Sequence, residues 1–346
     1  MLLCEHAGKP CVTNPPSNTS CWLSMQNSLK NLTAVFQPGH RNDLPSSLAR
    51  PSLKKLLALT ASLILGLGTV ARAAETSLTP AEQLGWKMAI HERTFQKYSL
   101  FESMDKTTAL GLKYMSFSTG IILEGTNSVS VLNLSDEQIK SIKDRAALKG
   151  IKFVNAYVPL PADEAKCRQG FEFARKMGLD TLVGEPGPEA LDTVEKLCKE
   201  YHIRVAIHDH PKPSRYWNPQ NVLDAIKGRS PLLGACADTG HWVRSGLDPV
   251  ECLKTLQGHI FCLHFKDLNE QDRKAHDVPW GTGVSQCKAM MAELKRQGFQ
   301  GAYCVEYEYH WETSMPEIAE CVKFFNQTCA SLASSPSKPQ QPVKKL

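Results

Sequence analysis

The chain has 346 residues, a formal net charge of +5 and 42% hydrophobic residues, enough to build one large globular domain. The basic excess lies wholly in the first 73 residues, which hold seven of the 40 Lys and Arg and two of the 35 Asp and Glu, leaving 33 of each beyond them. A domain without net charge has no electrostatic reason to hold a polyphosphate backbone, which argues against nucleic acid as a partner.

Arg50, Lys54 and Lys55 precede an apolar run at 56–70, and Ala71-Arg72-Ala73 follows it. A basic region, an apolar core and a small-residue cleavage site describe a secretory signal, so residues 1–73 read as a leader. The run is shorter than the roughly 20 residues of a membrane span, and the mature domain is expected not to insert. The absence of an Arg pair points to the Sec route. A polar stretch precedes the signal, as a start codon assigned too early would leave. The mature protein is therefore expected in the periplasm or at the cell envelope. N-terminal sequencing of envelope-fraction protein should begin at Ala74, and an intact leader on cytoplasmic protein would refute export.

From Gly85 the chain repeats one pattern: helix, glycine, short β-rich run, polar loop. The strand-like runs are 86–91, 112–117, 151–158, 179–184, 203–208, 232–237, 259–265 and 302–307. Helical spacing of apolar residues covers 100–110, 162–177, 189–201, 219–227, 249–256, 285–296 and 316–326, and Ser135-Asp-Glu-Gln138 is a capping box for one more. Gly111, Gly150, Gly178, Gly228, Gly258 and Gly298 stand where left-handed residues end helices. Strands alternating with helices predict a parallel sheet, and eight such units predict a closed (β/α)8 barrel over 74–329. No Gly-x-Gly-x-x-Gly follows the first run, which removes the main reason for a dinucleotide fold. Residues 330–346 are rich in Ser, Pro, Gln and Lys and are expected to be disordered.

Five of the runs end in ligand or acid/base residues. They are Val183-Gly-Glu185-Pro, Ile207-His208-Asp-His210-Pro, Ala237-Asp238-Thr-Gly-His241-Trp242, Leu263-His264-Phe-Lys266-Asp and Val305-Glu306-Tyr-Glu308. In a barrel these ends share one rim, where the active site lies. Glu185, Asp238, His264 and Glu306 are the expected ligands of one divalent cation. Mixed oxygen and nitrogen donors suit Mn²⁺, Co²⁺, Zn²⁺ or Mg²⁺. His208 is the expected base beside it, with His210 as ligand or proton partner. Lys266 and His241 can bind substrate hydroxyls or neutralise an oxyanion, and Glu308 is a further candidate substrate contact. Trp217, Trp242, Trp280 and Trp311 fall in or near rim loops, where tryptophans suit the apolar faces of a sugar.

Three of the 12 cysteines lie in the leader, and the other nine form no Cys-x-x-Cys pair and no zinc-finger spacing. Alternation points Cys236 the same way as Asp238, Cys262 as His264 and Cys304 as Glu306. All three are expected as reduced residues packed beneath the ligands.

Together these motifs, with His276-Asp-Val-Pro-Trp280-Gly281, resemble the xylose isomerase-like barrel superfamily of sugar isomerases and epimerases. The resemblance runs from Leu84 to about Gln327. It implies Asp238, His264 and Glu306 as ligands from the sixth, seventh and eighth strands, and His241 as a substrate contact. The family's acid/base Glu on the fifth strand is replaced by His208, and Glu185 is the candidate to supply the missing carboxylate. The nearest pattern is an exported subgroup often labelled sugar phosphate isomerase/epimerase, some relatives of which act on 3-keto-glycosides as lyases or hydratases. Apurinic endonucleases share the barrel with a richer set of metal-binding His residues, absent here. The resemblance thus implies a metal-dependent enzyme on a small carbohydrate, with a keto-glycoside lyase and a non-catalytic sugar-binding barrel as alternatives.

Overall fold

A computed structural model describes residues 78–335. The expected signal and its cleavage site lie outside the described residues. Eight strands close into a barrel: β1 Trp86–His91, β2 Tyr114–Phe117, β3 Lys152–Tyr157, β4 Thr181–Gly184, β5 Arg204–His208, β6 Leu233–Asp238, β7 Ile260–Phe265 and β8 Gly301–Val305. Each runs parallel to its neighbours, and β8 pairs with β1 to close the ring. Around it lie α1 Leu100–Ala109, α2 Asp136–Lys149, α3 Glu164–Met177, α4 Leu191–Tyr201, α5 Pro219–Ile226, α6 Pro249–Thr255, α7 Cys287–Arg296 and α8 Met315–Ser334. No helix among the described residues is long and apolar enough to cross a membrane.

Local signals explain where the helices begin and end. Ser135 caps α2 with Gln138 returning the bond, and Ser99 with Glu102 does the same for α1. Gly150 and Gly178 take the left-handed conformation that ends α2 and α3. At the end of α4 that role falls to His202, at φ 54°.

The strands separate two apolar layers. Residues such as Leu182, Ile207, Leu263 and Val305 face outward into the large core under the helices. Ala89, Val183, Ala206, Cys236, Cys262, Ala302 and Cys304 face inward and fill the barrel with small side chains. Two residues further along the same strands, period-2 alternation sets His91, Glu185, His208, Asp238, His264 and Glu306 on the C-terminal rim. The barrel's own packing therefore positions the site.

Four features depart from the expected pattern. Helix α8 runs to Ser334 and buries Cys329, so ordered structure continues past residue 329. A small antiparallel hairpin, Gly120–Ile122 with Ser128–Ser130, follows β2, and Asp267–Leu268 pairs with Asp277–Val278 after β7. The segment after β6 is a short helix, Thr239–Arg244, rather than an open loop.

Candidate active site

The rim converges on four side chains. His208, Asp238, His264 and Glu306 each bring one donor atom to within 4.8 Å of the others. His264 Nδ1 lies 3.1 Å from His208 Nε2 and 3.1 Å from Glu306 Oε2, and His208 Nε2 lies 3.7 Å from Asp238 Oδ2. Asp238 is fixed by its neighbours: its Oδ1 accepts the His241 N–H at 2.9 Å, and its own N–H donates to Asp209 Oδ1 at 2.9 Å.

Glu185 stands outside this quartet. It groups instead with His208 and His210, because two partners hold it between the third and fifth strands. Tyr157 donates to Glu185 Oε1 at 2.8 Å, and His210 Nδ1 is bonded to the same oxygen. The fourth corner of the quartet is filled by His208, which was expected to stand beside the ligands as the base. His210, half-exposed, lines the cavity with its Nδ1 held by Glu185.

Lys266 is the buried cation of the rim. Its Nζ lies 2.8 Å from Glu306 Oε2, 2.8 Å from Glu308 Oε2 and 3.2 Å from Asp238 Oδ2. Burial disfavours the ammonium, yet the surrounding carboxylates of Asp238, Glu306 and Glu308 hold its pKa well above the usual lysine value. Burial alone would likewise raise the Glu306 carboxyl, but Lys266 and His264 outweigh it and keep the group well below its usual range. For His208 burial favours the neutral ring, while the acidic groups of Asp238 and Glu185 more than offset it and push the imidazole up to about 10. A cation among these ligands would reverse that last effect.

The donor set fits a divalent ion. Asp238 Oδ2, which faces His208 Nε2 at 3.7 Å, is buried without a hydrogen-bond partner beyond its ion pair with Lys266 Nζ at 3.2 Å, a charge that a bound cation would help to offset. Two carboxylates and two imidazoles make a mixed oxygen and nitrogen set that suits Mn²⁺, Co²⁺ or Zn²⁺.

Above the quartet opens a cavity of about 940 Å³, lined among others by His91, Glu92, Arg93, Tyr157, His210, His241 and Glu308. His241 reaches it from the short helix, with Nε2 3.5 Å from Asp238 Oδ2 and Nδ1 3.2 Å from Arg244. None of the four tryptophans expected at the rim lines it. Trp242 is turned into the core by the Thr239–Arg244 helix, and Trp280 packs edge-on against Phe265 at 4.7 Å. Trp311 carries Arg93 over its ring, and Trp217 carries Lys212.

Several rim residues had no sequence motif to announce them. His91 ends β1, bonds Ser116 Oγ at 3.0 Å and approaches Glu306 Oε1 at 3.6 Å. Its only signal was its place at the end of the first strand run. Glu92 follows it, and burial pushes its carboxyl up from 4.5 to about 7 against the opposing bond from Ser118. In the unfolded chain that proton leaves first, so stability falls as pH rises from 4.5 to about 7 and then levels. Glu92→Gln should therefore raise stability at pH 8 by about 2–3 kcal/mol and change it little at pH 4, as read by denaturant melts at both values.

The geometry defines a class first: a (β/α)8 barrel with a cluster of histidines and carboxylates on its C-terminal rim that could hold a cation. Within that class the chain belongs to the xylose isomerase-like TIM barrel family, whose model matches residues 104–327. An uncharacterized protein from Parabacteroides distasonis is 33% identical, with a TM-score of 0.57 over 70% of this chain and 99% of that one. A D-tagatose 3-epimerase-like protein superposes at 0.57 with 19% identity over 71% and 98% of the two chains. A barrel of the same kind from Mycobacterium smegmatis, in complex with magnesium, superposes at 0.60 with 14% identity over 74% and 100%. The latter two likenesses are of fold. No curated protein matches the sequence.

Proposed function

We propose that the chain is a divalent-metal-dependent sugar isomerase or epimerase that removes a proton α to a carbonyl. The observation that carries this reading is the quartet His208, Asp238, His264 and Glu306 at the floor of a cavity whose wall holds His210 against Glu185. Those four residues would hold the ion. When bound, it supplies Lewis-acid stabilisation of the negative charge that develops on the sugar's carbonyl oxygen. The named relatives support the reading, since one is epimerase-like and another binds magnesium.

The chain's own residues do the rest. Burial opposes charge on Glu185, yet His208 and His210 outweigh it and hold the carboxylate ionised. An ionised Glu185 accepts the Nδ1–H of His210, which leaves Nε2 as the ring nitrogen with a lone pair. His210 is thus the group placed to take the α-proton, giving an enediolate. Lys266 is buried among the carboxylates and balances their charge. His241, at the cavity edge, is placed to donate to a sugar hydroxyl. Return of the proton to the opposite face gives an epimer, and to the neighbouring carbon an isomer.

A second reading shares this first step. The cavity of about 940 Å³ is roomy for a single sugar ring, which favours a keto-glycoside whose β-leaving group is expelled from the same enediolate. Metal analysis of the purified protein, followed by α-proton exchange into deuterium oxide on a panel of ketoses and 3-keto-glycosides, tests both. Exchange with product epimer or isomer supports the first reading, and exchange with release of an aglycone supports the second. Metal-loaded protein that exchanges no sugar would mean a binding barrel. The leader's secretory pattern is consistent with a periplasmic or envelope setting.

A further inference from the structure

One layer below the quartet, the barrel interior offers thiols. Cys236, Cys262 and Cys304 are buried and unpaired. The rest of their layer is Ala89, Val183, Ala206 and Ala302, so small side chains leave sulfur at the barrel axis. Strand register sets Cys236 opposite both Cys262 of β7 and His208 of β5. Three donors meet there: one atom each of His208, Cys236 and His264 lie within 4.8 Å of one another. His264 Nε2 is buried without a hydrogen-bond partner, whereas His208 Nδ1 lies 3.5 Å from Glu185 Oε1. The His264 ring thus keeps a free nitrogen beyond the one it turns to the quartet.

We propose that His208, Cys236 and His264 form a second metal seat, set toward the barrel interior and selective for thiophilic divalent ions such as Zn²⁺ and Cd²⁺. It shares its two imidazoles with the quartet but depends on no reaction. The division follows ligand chemistry. Carboxylates favour Mg²⁺ and Mn²⁺, whereas a thiolate favours zinc and cadmium. Binding exchanges the Cys236 S–H proton for a metal–sulfur bond and releases that proton to solvent. The two seats draw on the same imidazoles, so filling the lower one weakens the upper. An ion in the lower seat leaves Asp238 and Glu306 to Lys266 and sits further from any sugar in the cavity. Thiophilic ions therefore displace the hard ion without replacing its chemistry.

The test is a metal titration of the metal-stripped full chain, with Cys4, Cys11 and Cys21 replaced by Ser in every sample to remove the leader's thiols. Cd²⁺ binding is read by the ultraviolet thiolate-to-cadmium charge-transfer band, and Mn²⁺ binding by electron paramagnetic resonance. The band should saturate at a single equivalent and disappear in Cys236→Ser. In that variant Cd²⁺ affinity should fall about tenfold or more, while Mn²⁺ affinity stays within about twofold. Cys262→Ser and Cys304→Ser should keep the band. A thermal melt confirms folding, and Cys236→Ala serves if the serine variant unfolds. No band in the parent chain, a band that survives loss of Cys236, or equal loss of Cd²⁺ and Mn²⁺ would each overturn the proposal. A chain that shows the band but binds no Mn²⁺ would sink the upper quartet and leave the lower seat standing.

Discussion

Glu306→Gln should lower divalent-ion affinity and sugar α-proton exchange together, the exchange by about 10³-fold. The size follows from the ion's part in the reaction: several kcal/mol of charge stabilisation, at about 1.4 kcal/mol per tenfold in rate. Glu306 Oε2 sits between His264 Nδ1 and Lys266 Nζ, at 3.1 and 2.8 Å. The amide keeps the shape of the side chain and loses its charge. Lys266 retains Asp238 and Glu308 as partners, so the fold should survive and the effect should report the site. Metal content and exchange are measured on the same preparation. Full metal occupancy with exchange intact would remove Glu306 from the ligand set.

The architecture was legible because each barrel strand carries its own punctuation. β-rich runs recur eight times, with six glycines at helix ends between them, and only a closed parallel barrel absorbs that many units in so short a chain. Asp238, His264 and Glu306 were legible for a related reason: alternation alone fixes which residues at a strand end face the axis. Alternation does not fix how far a residue past the strand end reaches. Glu185 follows the last residue of β4, and Tyr157 and His210 draw it aside, while His208 on the next strand points at the axis. The exchange of places between Glu185 and His208 depends on those cross-strand bonds, which no single segment encodes. Trp242 misled for a different reason. A tryptophan after a strand reads as a rim residue, but Asp238 caps a helical turn there and turns the ring inward. The hairpin after β2 is only three residues a side, too short for an alternation pattern to stand out.

His210→Ala should cut α-proton exchange by about 10²–10⁴-fold while metal content stays unchanged. Two positions decide between His208 and His210 as the group that moves the proton. His208 is 2% exposed, and its Nε2 is turned to His264 and Asp238, where a bound ion would claim it. His210 lines the cavity, and Glu185 fixes its Nδ1. The loss should fall on kcat with KM little changed, because the ring acts on the reacting proton rather than holding the sugar. Glu185→Gln should cost less, about 10–100-fold, since it removes the partner that sets the tautomer and leaves the base in place. His208→Ala should behave differently from both by losing the metal along with exchange. If His208→Ala keeps its metal and loses exchange while His210→Ala exchanges normally, the proton belongs to His208 and the quartet lacks a corner. If both variants exchange normally with metal bound, the acid/base group must be another residue facing the cavity, such as Glu92 or Glu308.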